Sequence, residues 1–363
     1  MLIESVSENC RAEWNAFACS QSVFGLLQSW EWGQFKEKMG WKAFRIAVTD
    51  GGQIVALAQL LIKPIPPGLT SVAYLPRGPL GRWQDPQVFC ELINAIHAVA
   101  AENHAVFLKI EPPLLSSQAD ACFLQEHGFH FSHATNQPRC TIQVDLTSDQ
   151  ENIFAQLRKS TRRKITTATN QGLTTRLGVT SDLPIFYELV CATARRSGCE
   201  ARKLGYYESE WGTFFKNGQA LMMLAFYAGQ PVAAHLSYTF GKQAALFHQA
   251  SADGFCALNP NTLLVWESLK TLKTGGCINY DLGSIPNEIG EIACHGQPPD
   301  HERSDGLWGP YQFKSDFCKQ IVYYLGAYDY VYQPVLYALI NSQFLKTEIL
   351  EQPAVLSAKV ERV

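Results

Sequence analysis

Near the C-terminal end of the chain a lysine stands among aromatics, in Phe313-Lys314-Ser315-Asp316-Phe317. A lysine so flanked can be desolvated and aimed at negative charge that develops during a reaction, where a fixed ammonium is worth far more than in water. The same pattern suits an amphipathic strand with a snorkelling lysine. A second cationic feature is the run Arg158, Lys159, Arg162, Arg163 and Lys164. On a helix 158 and 162 share one face, as do 159 and 163, and like charges at that spacing repel. Such a face either stands in free solvent or meets an anion such as a phosphate or an RNA backbone. His127, His130 and His133 look like a metal cluster, but Gly128 breaks the helix between them and they are not expected to converge. His235 and His248 lie in strand patterns and read as core or edge residues. No H-E-x-x-H, G-x-S-x-G or Walker pattern occurs, and no nucleophile–base set stands out.

The elements that must position these residues come in two copies. Gly52-Gln53-Ile54-Val55-Ala56 returns as Gly229-Gln230-Pro231-Val232-Ala233. Each copy lies in an apolar, β-prone stretch (44–62 and 221–237) with a glycine-containing hairpin turn. A further strand follows each, then a helical pattern (85–103 and 261–275), then a closing strand (105–110 and 277–282). The order predicts a duplicated α/β, mixed α+β domain with a cleft between its lobes, and clefts at domain interfaces are where ligand sites tend to sit. Other helices are expected over 8–20, 28–38, 118–127, 151–171, 182–197 and 207–217. Two prolines and a glycine in series make 63–68 a loop. Strand 140–146 completes the first lobe, and Thr147-Ser148-Asp149 caps the helix that opens the second. The expected domains are therefore 1–147, with 318–363 packing back on it, and 148–317. Residues 284–310 read as one long polar loop.

A length of 363 residues sets a prior of two domains, and 47% hydrophobic with 12% aromatic residues can fill two cores. Thirty basic and 33 acidic residues give a net charge of −3, which excludes a generic polyanion binder. The 11 cysteines form no C-x-x-C pair and lie in apolar segments, so buried, reduced thiols and a cytoplasmic location are expected. The N-terminus does not have the form of a signal peptide, and no apolar run reaches the ~18 residues of a spanning helix.

With these segments in view, the chain resembles the FemABX family of aminoacyl-tRNA-dependent aminoacyltransferases that build peptidoglycan cross-bridges. The resemblance runs through Gln28-Ser29-Trp30-Glu31-Trp32, Phe35-Lys36, Gly40-Trp41, Tyr74-Leu75-Pro76-Arg77-Gly78-Pro79 and the stretch 158–168. It continues in Asn261-Thr262-Leu263-Leu264-Val265-Trp266-Glu267, Tyr280-Asp281-Leu282-Gly283, Phe313-Lys314 and Gly326-Ala327-Tyr328-Asp329. It implies two lobes of the GNAT acyltransferase fold, in the short FemX-like form that has no coiled-coil arm.

By that resemblance Lys36 and Arg202 contact the diphosphate of a sugar-nucleotide or lipid-linked precursor, and Tyr74 and Arg77 line the same groove. Tyr206 and Tyr207 pack against the precursor. Lys314 steadies the negative charge that builds as an amine attacks the aminoacyl ester, and Phe313 positions the acceptor end of the tRNA. Arg158, Lys159, Arg162 and Arg163 are the candidates for tRNA or phosphate contact. No metal or cofactor is required, because an aminoacyl ester is already activated. The partners implied are aminoacyl-tRNA and a UDP-linked or lipid-linked muropeptide, with peripheral contact at the inner membrane face for the latter. Asp316 replaces a glycine common in the family and is a candidate ion-pair partner of Lys314. Two other readings stay open: an acyl-CoA-dependent N-acyltransferase, against which the missing pyrophosphate-cradling pattern counts, and a non-catalytic RNA-binding protein.

Overall fold

In the computed structural model, residues 2–66, 68–294, 296 and 307–341 are described. The chain forms two units. Among the described residues, the first takes those of 2–139 and 324–341, and the second takes those of 140–323.

The first unit contains β1 (Leu2–Ser5), α1 (Arg11–Ser20), α2 (Trp30–Lys38), β2 (Lys42–Asp50), β3 (Gln53–Ile65), β4 (Thr70–Pro76) and β5 (Leu80–Gly81). It continues with α3 (Pro86–Glu102), β6 (Ala105–Glu111), α4 (Gln118–Glu126) and β7 (His130–Ser132). The second contains β8 (Cys140–Asp145), α5 (Gln150–Gln156), α6 (Lys159–Asn170), β9 (Leu173–Leu177), α7 (Leu183–Arg196) and α8 (Leu204–Phe215). Then come β10 (Ala220–Tyr227), β11 (Gln230–Phe240), β12 (Gln243–Ser251), α9 (Pro260–Thr274), β13 (Asn279–Ser284), α10 (Asn287–Cys294), α11 (Trp308–Ser315) and β14 (Ile321–Tyr323). β15 (Ala327–Val331) and α12 (Pro334–Asn341) belong to the first unit.

The repeat in the sequence is a repeat of topology. One sheet runs β1-β2-β3-β4-β6-β15-β7, and the other, in the same sense, runs β9-β10-β11-β12-β13-β8-β14. Each has one parallel junction, β4 with β6 and β12 with β13, bridged by α3 or α9. The repeated motif is the same two-residue turn in both copies. Gly51 and Gly52 have φ of 59° and 79°, and Ala228 and Gly229 have 50° and 80°. Positive φ at both central positions matches the twist of the flanking strands.

Each sheet takes its sixth strand from the chain that has just left the other: β8 follows β7, and β15 follows β14. This moves the expected boundary from 147 back to 139. β8 pairs with β13, Val144 opposite Tyr280, and buries Cys140, Ile142 and Val144 in the second core, so it does not complete the first lobe. β14 pairs with β8 and stays in the second unit, which moves the return point from 318 to 324.

Local chemistry sets several helix starts. Asp85 caps α3 by accepting from the amides of Gln87 and Val88, Pro86 opens it, and Val88, Leu92, Ile96 and Ala100 make its buried stripe. Ala56, Ala58, Leu60 and Ile62 of β3 meet that stripe in the core, while Gln59 and Lys63 on the opposite side of the strand bond backbone near α2. The expected loop at 63–68 is shorter than its prolines suggest. Pro64 lies within β3, opposite Ser71, beyond the point where β2 stops pairing, so its missing N–H falls on an open edge. Of the expected polar loop, 287–294 is helix α10 and α11 begins at Trp308; 297–306 lie outside the described residues.

The cysteine expectation needs correction. Only Cys140 and Cys277 are buried, and Cys19, Cys90, Cys256 and Cys294 are exposed, because an apolar segment folded as a helix still turns some positions outward. Among the described residues no helix is long and apolar enough to cross a membrane.

Candidate active site

In the first unit, α2 carries Lys36. Ser29 caps the helix by accepting from the amide of Trp32, and the aromatic residues around it surround the lysine. Its ammonium lies 5.3 Å from the ring centres of Trp32 and Phe35 and 5.9 Å from that of Trp41, with the residue only 7% exposed. Cation–π attraction of this kind holds a charge where water is scarce. Lys63 approaches the same Trp41 ring at 5.6 Å and donates to the Met39 carbonyl.

Tyr74, from β4, packs on Trp41 with ring centres 6.2 Å apart. Its hydroxyl donates to Glu111 and accepts from Gln137 Nε2. Burial, reinforced by the Glu111 carboxylate, holds the phenol well above its ordinary range, so Tyr74 stays a neutral donor. Glu111 also accepts from the amides of Asn136 and Gln137. Arg77 follows β4 with a left-handed backbone, φ 47°; it donates to the Pro138 carbonyl and stacks 3.9 Å over Tyr324. The structure thus gathers Lys36, Tyr74 and Arg77 around one sheet face. It adds Glu111, which sequence reasoning missed; the available signal was an acid ending an apolar strand just before Pro112-Pro113.

In the second unit, Lys314 lies in the last turn of α11, not in a strand. Nζ donates to the Ser284 carbonyl at 2.8 Å, and no other hydrogen bond from it reaches a described residue. Burial pushes its ammonium down to about 8, partly offset by Asp281. Gly283, with φ 85°, adjoins the ammonium: a Cβ there would stand 3.5 Å from Nζ, in ordinary van der Waals contact. A desolvated ammonium with donors to spare can bind an oxyanion. Phe313 packs edge-on against Phe317, 5.4 Å between centres. Asp316 is not the ion-pair partner of Lys314. It bonds Arg158 at 2.8 Å and lies 3.5 Å from Lys164.

That pairing alters the reading of the basic run. Arg158 is the residue before α6 begins and is tied to Asp316, while Arg162 donates to the Ala155 carbonyl. Charge crowding is relieved within the chain at Arg158 and Lys164, both beside Asp316. Lys159 and Arg163 are exposed on the side of α6 opposite buried Thr161, Ile165 and Ala168.

Arg202 stacks 4.4 Å over Tyr206 at the start of α8. Tyr207 is fully buried among Phe186, Tyr187, Tyr206 and His248, and burial pushes its phenol up to about 12. Contact between its ring and a precursor does not fit that burial. His127 bonds the Phe123 carbonyl, and no metal-holding group of residues occurs among the described residues. His235 is buried against Asn261, and burial pushes it down to about 4, a neutral core imidazole.

The FemAB family model matches residues 10–228 and 226–344. The chain belongs to the FemAB family. A lipid II:glycine glycyltransferase of Staphylococcus aureus (strain MRSA252) is 26% identical over 221 residues, 58% of this chain and 52% of that protein. The chain thus spans about half the length of the curated relatives it matches. The crystal structure of FemX superposes with a TM-score of 0.81 at 20% identity, covering 94% of this chain and 100% of that one. A tandem GNAT protein from the clavulanic acid biosynthesis pathway reaches 0.53 at 12% identity, covering 90% and 98%. This FemAB protein therefore has the mixed α+β fold of two GNAT-like sheets.

Proposed function

We propose that this FemAB protein transfers an aminoacyl group from an aminoacyl-tRNA to the stem-peptide amine of a peptidoglycan precursor, UDP-linked or lipid-linked. The observation that carries the reading is Lys314, a buried ammonium with one backbone acceptor at the broken end of β13. An aminoacyl ester needs alignment and charge stabilisation more than activation. The amine nitrogen attacks the ester carbonyl, the C–N bond forms, and the C–O bond breaks with its electron pair going to the ribose oxygen. Lys314 bears the oxyanion in between. Lys36, Tyr74, Arg77, Arg202 and Tyr206 hold the precursor, Phe313 positions the acceptor end of the tRNA, and Lys159 and Arg163 meet phosphates, with Arg158 and Arg162 behind them. Relatives named as lipid II glycyltransferases support a precursor of this class. The reaction so read belongs in the cytoplasm, at the membrane face if the acceptor is lipid-linked.

The test is a transfer assay with labelled aminoacyl-tRNAs and either muropeptide. Label on the muropeptide, lost on ribonuclease treatment and in Lys314→Met, is the expected result. No transfer to either acceptor would remove the cell-wall assignment, and transfer that survives ribonuclease would point to another acyl donor.

A further inference from the structure

The second unit holds a buried acid–imidazole pair that none of the roles above uses. Glu210, on α8, is 1% exposed, and its Oε2 lies 2.7 Å from Nε2 of His248, on β12, itself 8% exposed. A carboxylate accepts hydrogen bonds, so it keeps the imidazole proton on Nε2 and leaves the lone pair on Nδ1. Nδ1 makes no hydrogen bond to any described residue. An imidazole whose tautomer is set by a buried acid, with its other nitrogen open, is built to accept a proton.

Its position within the unit fits that use. β12 and β13 pair only from Gln243 opposite Asn279 to Ala245 opposite Asp281, and then part. Just past the last pair, the Leu246 carbonyl and Lys314 Nζ both stand 3.5 Å from where a Gly283 Cβ would be. His248 follows across a β-bulge, where Leu246 and His248 face the adjacent residues Ser237 and Leu236 of β11. The Tyr207 ring is 5.3 Å from the imidazole, Tyr206 is 5.5 Å from Tyr207, and Arg202 stacks on Tyr206. The imidazole therefore stands on β12 next to the bulge that follows Leu246, and it packs on the tyrosines that lead to Arg202. The groups facing it are Glu210 and Tyr207 from α8, Phe186 from α7 and neighbouring Phe247, with Tyr238 of β11 beside Glu210.

We infer that His248, oriented by Glu210, takes the proton from the attacking stem-peptide ammonium; this rests on the transfer reading above. The ammonium gives its proton to Nδ1, and the freed amine attacks the ester carbonyl. As the C–O bond breaks, the imidazolium gives its proton to the departing ribose oxygen, and the acylated nitrogen sheds its second proton to water, so an ammonium and an ester become an amide, an alcohol and one released proton. Glu210 is a positioning residue that fixes the tautomer.

The test is single-turnover transfer by wild type, His248→Gln, His248→Ala and Glu210→Gln, with pH–rate profiles and thermal unfolding of each. Glutamine retains a donor toward Glu210 but cannot accept the proton. We expect His248→Gln to lose about 10²-fold in rate, with precursor binding kept and the acid limb of the profile gone. Added imidazole is expected to restore part of the rate to His248→Ala. A His248→Gln enzyme with the wild-type rate and acid limb would overturn the inference and leave the transfer reading intact. So would slow variants that imidazole does not rescue and that melt early. A wild-type protein that transfers nothing would overturn both.

Discussion

Nζ of Lys314 donates to the carbonyl of Ser284 at 2.8 Å, joining the last turn of α11 to the place where β13 loses its register with β8. A strand that kept its ladder would have spent that carbonyl on a neighbouring amide. The irregularity between Asp281 and Ser284 therefore leaves the acceptor that holds the ammonium.

This arrangement sets a pH dependence with a definite sign. An ammonium that binds an oxyanion must be protonated, so transfer is expected to fall as pH rises through about 8, the value to which burial pushes Lys314. A lysine acting as a base would give the opposite slope. Stability should move the other way. The folded chain releases this proton at about 8 and the unfolded chain at the ordinary 10.5, so unfolding free energy rises across that window. The gain is on the order of 3 kcal/mol. Denaturant titrations at pH 8 and 10.5 should show it in wild type and not in Lys314→Met.

Two helical glycines should respond oppositely to alanine. Gly33, inside α2, faces Gln59 and Arg45, and a Cβ would stand 2.3 Å from Oε1 and 2.4 Å from Nη2. Gln59 is held by the Leu27 and Ser29 carbonyls and cannot retreat cheaply. Gly33→Ala is expected to cost about 1–3 kcal/mol and, by shifting the helix that carries Lys36, to weaken precursor binding. Gly212, inside α8, has nothing within 4 Å of its Cβ position, so Gly212→Ala should stabilise by about 1 kcal/mol. Thermal unfolding of both, with binding measured for the first, checks the pair; equal shifts would contradict the packing described.

If Lys159 and Arg163 meet tRNA phosphates, each should contribute to the salt dependence of binding. Replacing either by glutamine is expected to lower the slope of log K against log salt by about 0.7–0.9. Arg162→Gln should change it less, because its guanidinium is committed to the Ala155 carbonyl. Filter binding of tRNA over a salt series measures this, and an unchanged slope in Lys159→Gln and Arg163→Gln would take tRNA off that face of α6.

Ala228 adopts φ 50° where the first copy of the turn has Gly51 at 59°. A Cβ in the left-handed region costs about 1–2 kcal/mol, more than the added unfolded-state freedom of glycine takes back. Ala228→Gly should therefore raise unfolding free energy by about 1 kcal/mol. A chemical denaturation curve decides it, and a loss of stability would show that the turn is not strained.

Much of this protein was determined by local sequence. The hairpin turns at Gly52 and Gly229, the Asp85 and Asp149 caps and the apolar stripe of α3 depend on neighbours a few residues away. The duplicated fold could be read from their order, and the family resemblance pointed to Lys36 and Lys314. What tertiary structure alone decided were pairings across long stretches of chain. No residue near Cys140 reveals that its strand joins β13, because an apolar strand is satisfied by either sheet. Asp316 lies two residues from Lys314 but bonds Arg158 at a separation of 158 residues, because the end of a helix turns consecutive side chains in different directions. Glu210 finds His248 across 38 residues and Tyr74 finds Glu111 across 37, the first pair made only when α8 packs on β12 and the second only when β4 is laid beside β6. Burial likewise belongs to the folded state: Lys314 is an ordinary lysine in sequence and a desolvated one only where α11 covers the broken end of β13.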